Sequence, residues 1–196
     1  MTPSTAQTRR FVLLDRDGTL NIERDYLSDP AQLDLIAGVG PALRRLRALG
    51  FGLVVLTNQS GVARGYFDLD TVARVHERLA AMLDAEGVAL DGLYFCPHGP
   101  EDGCSCRKPR PGMVERAAAD LGFDPRRSFM IGDSPVDIAL GRAVGAIPLL
   151  VRTGWGRRTE SEGACDPAAI LDDLPAAVAW IERSVGSGLA RTGEPA

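Results

Sequence analysis

Two short stretches hold residues whose types and spacing suit chemistry. The first is Asp15-Arg16-Asp17-Gly18-Thr19, directly after the apolar run Phe11-Val12-Leu13-Leu14. Residues i and i+2 of an extended chain share a side, so Asp15 and Asp17 can face one ligand. One carboxylate can attack phosphorus to give an aspartyl-phosphate, while a neighbouring carboxyl protonates the leaving oxygen. Gly18 permits a tight turn whose N–H groups can face phosphoryl oxygens. The same residues would also serve as a solvated Asp-Gly turn closing a strand.

The second stretch runs from Cys96 to Cys106 and has the spacing C-x-H-x5-C-x-C. Cys96, His98, Cys104 and Cys106 make a closed set of three thiolates and an imidazole, which suits tetrahedral structural zinc and leaves no position for water. Pro97, Gly99, Pro100 and Gly103 would turn the loop tightly around one ion. A loop of reduced thiols is the alternative, and Cys165, far from the group, reads as an unpaired bystander. Cys106 runs straight into Arg107-Lys108-Pro109, so a metal held here would aim the lysine and arginine at a substrate.

These residues need a frame, and the hydrophobic pattern supplies one. Apolar runs at Phe11–Leu14, Phe51–Leu56, Leu93–Phe95, Ser128–Ile131, Ile147–Val151 and Ala169–Leu171 predict strands. Helical spacing predicts helices over Pro41–Leu49, Leu69–Glu86, Pro111–Leu121, Pro135–Val144 and Leu174–Arg183. Strands apolar on both faces and alternating with helices imply an α/β, Rossmann-like parallel sheet covered on both sides. Ligands bind such sheets at the carboxyl ends of the strands. Asp15, Thr57-Asn58 and Asp133 each follow an apolar run and are the residues to read for chemistry. Asp133 has a second reading, as a helix N-cap before Ser134-Pro135.

The chain has 196 residues, 45% hydrophobic and 24% charged, with a net charge of -4. That suits one domain, expected over 9–185, with loose ends at 1–8 and 186–196. A pI near 5.2 argues against broad nucleic-acid binding, which needs clustered positive charge. No apolar run approaches the roughly 18 residues of a membrane helix. The first ten residues lack the apolar core of a signal peptide, so a cytoplasmic protein is expected.

Phe11 to Leu20 resembles the first motif of haloacid dehalogenase (HAD) superfamily phosphatases. Thr57, Lys108, and Gly132-Asp133 with Asp137 are similar to that family's later motifs, in order. The resemblance implies that Asp15 is the nucleophile, and that Asp17 is the general acid and then the base for the hydrolytic water. It implies Mg²⁺ on Asp15, the Asp17 backbone carbonyl and Asp133, with Thr57 and Lys108 stabilising the phosphoryl group. Asp15 would be ionised and Asp17 protonated; Asp137 would be a supporting partner or an ordinary helix residue.

The segment between Asp17 and Thr57 has room for a helix but not a lid domain, so the resemblance implies a capless enzyme. Within the superfamily, the zinc loop, the Thr57–Gly65 segment and Val151–Gly154 resemble the heptose bisphosphate phosphatase branch. That branch implies a small phosphorylated sugar as substrate, a monomer, and no nucleic-acid or membrane partner. Glu23, Arg24, Asp25, Tyr26, Asn58, Gln59, Ser60 and Arg107 correspond to its sugar or distal-phosphate contacts. Ser134 departs from the branch, whose members often carry lysine there. Histidinol-phosphate phosphatases, a sister branch with a similar loop, carry an acidic residue where this chain has Ser60. The intact Asp15, Asp17, Thr57, Lys108 and Asp133 set speaks against an inactive phosphosugar-binding module.

Overall fold

Continuous apolar runs become central strands because only a site covered on both faces removes all their side chains from water. A computed structural model of the chain describes residues 9–186. The loose ends expected at 1–8 and beyond Gly186 lie outside the described residues. The six strands are β1 (Phe11–Leu14), β2 (Gly52–Asn58), β3 (Gly92–Cys96), β4 (Phe129–Gly132), β5 (Ile147–Val151) and β6 (Ala169–Leu171). All neighbours pair in parallel, in the order β3-β2-β1-β4-β5-β6.

The two faces divide by residue parity. Val12, Leu14, Leu53, Val55, Phe129 and Ile131 pack under three helices: α1 (Val39–Ala48), α2 (Leu69–Ala85) and α6 (Leu174–Gly186). Phe11, Leu13, Val54, Leu56 and Met130 face the opposite way, onto α3 (Gly112–Leu121) and α4 (Pro135–Ala143). Strand order reverses direction beside β1, so the loops after β1 and β4 part there and open a crevice. Asp15 and Asp133 stand at its two lips.

Several elements begin or end a residue or two from the expected bounds, and two differences go further. Strand β2 runs on through Thr57 and Asn58, which are its last residues rather than the loop beyond it. A polar helix, α5 (Gly156–Glu162), follows β5, and only its Gly156 and Thr159 are buried. With no apolar stripe it left no helical signal. Arg152 is spent on Glu160 and Asp172, at 2.6 and 2.8 Å, and Arg158 pairs with Glu162 at 2.7 Å.

At the far end of the sheet Asp91 ties three segments together. It pairs with Arg9 at 2.8 Å and Arg47 at 2.7 Å, and accepts the Leu53 N–H at 2.7 Å. Burial opposes its ionisation, but the Leu53 N–H and the two guanidiniums outweigh burial and hold its carboxyl below the usual range. A carboxylate depressed by folding stabilises the fold above its unfolded pKa of about 3.9, and that contribution fades as pH falls through the lower folded value. Urea unfolding of Asp91→Asn should show roughly 1 kcal/mol lost at neutral pH. The gap to the parent protein should close as pH falls below about 4.

Candidate active site

A single ammonium group organises the crevice. Lys108 is buried, and its Nζ lies 2.5 Å from Asp15 Oδ1, 2.7 Å from Asp137 Oδ1 and 2.9 Å from the Leu56 carbonyl. Asn58, at the tip of β2, grips the lysine backbone with both ends of its amide, accepting from N–H at 3.0 Å and donating to O at 3.3 Å. Asp15 is anchored in turn by its N–H on the Ile131 carbonyl, 2.9 Å away.

Asp133 enters from β4. Its Oδ2 accepts the Trp155 N–H at 2.7 Å, and its carbonyl accepts the Thr159 hydroxyl at 2.9 Å. Gly18 and Gly154 both have positive φ and close directly on Asp133 Oδ2; a Cβ at either would overlap that oxygen. Only glycine lets these loops meet around the carboxylate. The helix N-cap role falls to Ser134, whose N–H and hydroxyl both reach Asp137 Oδ2, at 3.2 and 2.5 Å. Asp137 is fully buried, one oxygen on Ser134 and the other on Lys108.

Two buried carboxylates therefore pair with one buried ammonium, and a third, Asp133, lies close beside them. Burial, reinforced by Asp137, pushes the Asp15 carboxyl up to about 7 despite Lys108. Burial and the nearby Asp15 and Asp137 push Asp133 up to about 9. Burial disfavours the charged Lys108, but Asp137 and Asp15 override it and raise the lysine above its ordinary value. Ligand atoms of Asp15, Asp133 and Asp137 all lie within 4.8 Å of one another. A carboxylate cluster short of positive charge fits a hard, oxygen-loving divalent cation.

Asp17 behaves in the opposite way. Burial would raise it, yet Arg16, Asn21 and Gln59 together hold it below the usual carboxylate range. Arg16 is fully buried and places Nη2 at 2.7 and 2.9 Å from the two carboxylate oxygens. Asn21 donates to Oδ1 at 2.9 Å, and Gln59 donates to Oδ2 at 3.1 Å and to the Thr57 hydroxyl oxygen at 2.8 Å. The sequence expectation of an ionised Asp15 and a protonated Asp17 concerns the site loaded with metal and substrate; the protein's own charges alone push the two carboxyls the opposite ways. Burial acts so at Asp15; at Asp17 the strongest opposing influence is Arg16, which turns inward where an arginine after a strand would ordinarily point to water.

A cleft of about 320 Å³ opens over these groups, and Glu23, Asp25, Tyr26, Asn58, Gln59, Ser60 and Arg107 line it with them. Arg24 does not line it and pairs instead with Asp34 at 2.6 Å. Ser134, Val136 and Trp155 line it without having been singled out as substrate contacts. His76 is half-buried, edge-on to Phe95, and burial beside Arg16 lowers it to about 4.

The cysteine loop leads directly into Lys108. Cys96 Sγ lies 3.1 Å from Cys106 Sγ and 3.6 Å from Cys104 Sγ; His98 Nδ1 lies 3.5 Å from Cys96 Sγ and 3.3 Å from Cys106 Sγ. A tetrahedron with metal–sulfur bonds of about 2.3 Å has sulfur–sulfur edges of roughly 3.7 Å; the Cys96–Cys104 edge matches it, and the Cys96–Cys106 edge is shorter. Burial and the neighbouring thiols push Cys96 up to about 12 and burial raises Cys106, so ionising these two calls for a cation. The group can hold a metal ion. The loop is stitched to the cleft, with Gln59 N–H on the Cys96 carbonyl at 2.7 Å and Arg107 on the His98 carbonyl at 3.1 Å.

Parallel sheet, crevice and acid cluster are together those of a HAD-like hydrolase, and a HAD-hydrolase-like family model matches residues 105–177. The D-glycero-beta-D-manno-heptose-1,7-bisphosphate 7-phosphatase of Pseudomonas putida is 40% identical, over 85% of this chain and 96% of its own. That of Haemophilus influenzae is 43% identical, over 85% and 95%. The crystal structure of D,D-heptose 1,7-bisphosphate phosphatase from B. bronchiseptica, complexed with magnesium and phosphate, superposes with a TM-score of 0.84 at 35% identity, covering 89% of this chain and 99% of that one. The chain belongs to the heptose-bisphosphate phosphatase family of HAD-like phosphatases.

Replacing Lys108 by Met leaves Asp15 and Asp137 buried together without their cation. The variant should lose about 3–5 kcal/mol of stability in chemical denaturation. Adding Asp15→Asn should return part of that loss, because one of the opposed charges has gone.

Proposed function

We propose that this chain removes the 7-phosphate of D-glycero-D-manno-heptose 1,7-bisphosphate, acting as a cytoplasmic monomer. The observation that carries the reading is the convergence of Asp15, Asp17, Lys108 and Asp133 on one cleft. It stands in a chain 40% identical along nearly the whole of a heptose bisphosphate phosphatase.

Asp15 attacks phosphorus, the bond to the sugar's 7-oxygen breaks, and Asp17 gives that oxygen its proton. Water then attacks the aspartyl-phosphate, Asp17 takes a proton from it, and phosphate leaves with Asp15 restored. An incoming phosphate offsets the pull of Arg16 and raises the proton affinity of Asp17, which fits it for the first half of the cycle. Lys108 keeps Asp15 oriented, and the Thr57 hydroxyl lies beside the phosphoryl position. Arg107 is suited to the distal phosphate, because a guanidinium binds phosphate through paired donors.

Asp15, Asp133 and the Asp17 carbonyl would hold Mg²⁺, which supplies positive charge where an anionic nucleophile meets an anionic ester. The raised Asp15 and Asp133 carboxyls and the magnesium in the B. bronchiseptica structure support that choice. Cys96, His98, Cys104 and Cys106 would hold a structural Zn²⁺ that fixes the loop carrying Arg107 and Lys108.

The test is a kcat/KM panel of both anomers of heptose 1,7-bisphosphate, histidinol phosphate and fructose 1,6-bisphosphate. A heptose anomer should lead by about 100-fold or more, and a lead for histidinol phosphate would overturn the assignment. Asp15→Asn should abolish turnover of every substrate. Cys106→Ser should lower zinc content, melting temperature and kcat/KM together; full activity in a zinc-free variant at low temperature would refute the coupling of loop to site.

A further inference from the structure

The catalytic cleft is only one half of a larger groove. A second hollow of about 470 Å³ adjoins it, and Glu23, Asp25 and Trp155 line both. Ile22 and Ile36 complete the second lobe on its apolar side. The two lobes differ in charge. Arg107 and Lys108 line the catalytic one, whereas among the described residues no lysine or arginine lines the other.

Trp155 stands at the join. The residue is 44% exposed, and Ile22 beside the same hollow is 45% exposed. Large apolar side chains grouped at a cavity, left uncovered by the fold, mark a place where a ligand covers them. The Trp155 main chain is fixed, because its backbone N–H is bonded to Asp133 Oδ2. Glu23 is similarly set, its Oε1 accepting the Arg24 and Asp25 N–H groups at 2.9 Å each. Asp25 and Tyr26 adopt positive φ, 35° and 62°, which non-glycine residues rarely do and which recurs at ligand-binding segments.

Two carboxylates without a cation repel phosphate. An aromatic face, an aliphatic wall and two hydrogen-bond acceptors instead suit a carbon chain that bears hydroxyls, with C–H groups on the indole and O–H groups on the carboxylates. We propose that this lobe is a polyol subsite with Trp155 as its platform, and that Trp155 is a specificity-determining residue. The phosphate being cleaved sits at Asp15, the carbon chain next to it lies across the indole, and a distal phosphate is turned away from the lobe towards Arg107. The proposal rests on the phosphosugar reading above and adds where the sugar body goes.

Fluorescence can test the subsite without altering it. The chain has two tryptophans, and Trp180 packs edge-on to Phe129 in the core, ring centroids 6.4 Å apart. In a Trp180→Phe, Asp15→Asn background, Trp155 is the sole emitter and nothing is hydrolysed. Titration with heptose 1,7-bisphosphate, or with glucitol 6-phosphate, should shift its emission to saturation, while inorganic phosphate alone should not. In otherwise intact enzyme, Trp155→Ala should lower kcat/KM for the heptose ester about tenfold more than for acetyl phosphate, which has no polyol. Trp155→Phe should recover most of that difference. Equal losses on both esters, or the same emission shift with inorganic phosphate, would overturn the subsite. If the parent enzyme prefers another phosphorylated polyol, the heptose assignment falls, and the emission response to that polyol phosphate still decides the subsite.

Discussion

Burying three carboxylates around one ammonium is the constraint on which this molecule is built. Charges taken out of water cost several kcal/mol each, and mutual attraction repays that only where geometry and hydrogen bonding are good. Here Lys108 meets Asp15, Asp137 and a carbonyl at once, and Asp137 spends its other oxygen on the cap of α4. The arrangement still leaves the cluster short of positive charge, as the raised Asp15 and Asp133 carboxyls record. A fold selected for stability alone would fill this space with apolar groups. A site that takes a divalent cation and a phosphate, as proposed, has reason to keep the deficit.

Topology explains how residues so distant in sequence come to share that cluster. Reversal of strand order beside β1 parts the loops after β1 and β4, and the space between receives Asp15 from one side and Asp133 from the other. Lys108 arrives differently, on a loop rather than a strand end. That loop leaves β3 through the Cys96–Cys106 turn, whose carbonyls are gripped by Gln59 and Arg107. Asn58 then fixes the lysine backbone from the tip of β2. Hydrogen bonds thus run without a break from the cysteine group to the lysine that meets Asp15.

Much of this was legible in the sequence because it follows from patterning. Both-faces-apolar runs gave the strands, helical stripes gave five of the helices, and polar residues after strands pointed to Asp15 and Asp133. Helix α5 escaped since it buries almost nothing and carries no period. Asp137 was undervalued because helix spacing does not tell which face meets a buried lysine from another loop. Arg16 was invisible for a deeper reason: a charged residue flanked by two aspartates looks solvent-facing, and only the fold shows it turned inward onto Asp17. Trp155 follows the recognisable Val151–Gly154 stretch, but whether an aromatic there joins the core or faces a cavity is decided by tertiary packing.

The inward Arg16 changes how the two halves of the proposed reaction are balanced. An acid–base residue that both gives and takes a proton needs an affinity that can move, and a fixed environment cannot favour both tasks. Arg16, Asn21 and Gln59 set Asp17 towards its ionised form, the one suited to accepting a proton from water. The opposite form has to be brought about by something that enters, and a phosphate carries the charge to do it. Asp15 is tuned in the reverse sense, raised by burial and by its carboxylate neighbours, so a cation arriving at the cluster favours the ionised nucleophile. In the proposed reaction the two carboxylates thus answer to different ligands, Asp15 to a cation and Asp17 to a phosphate.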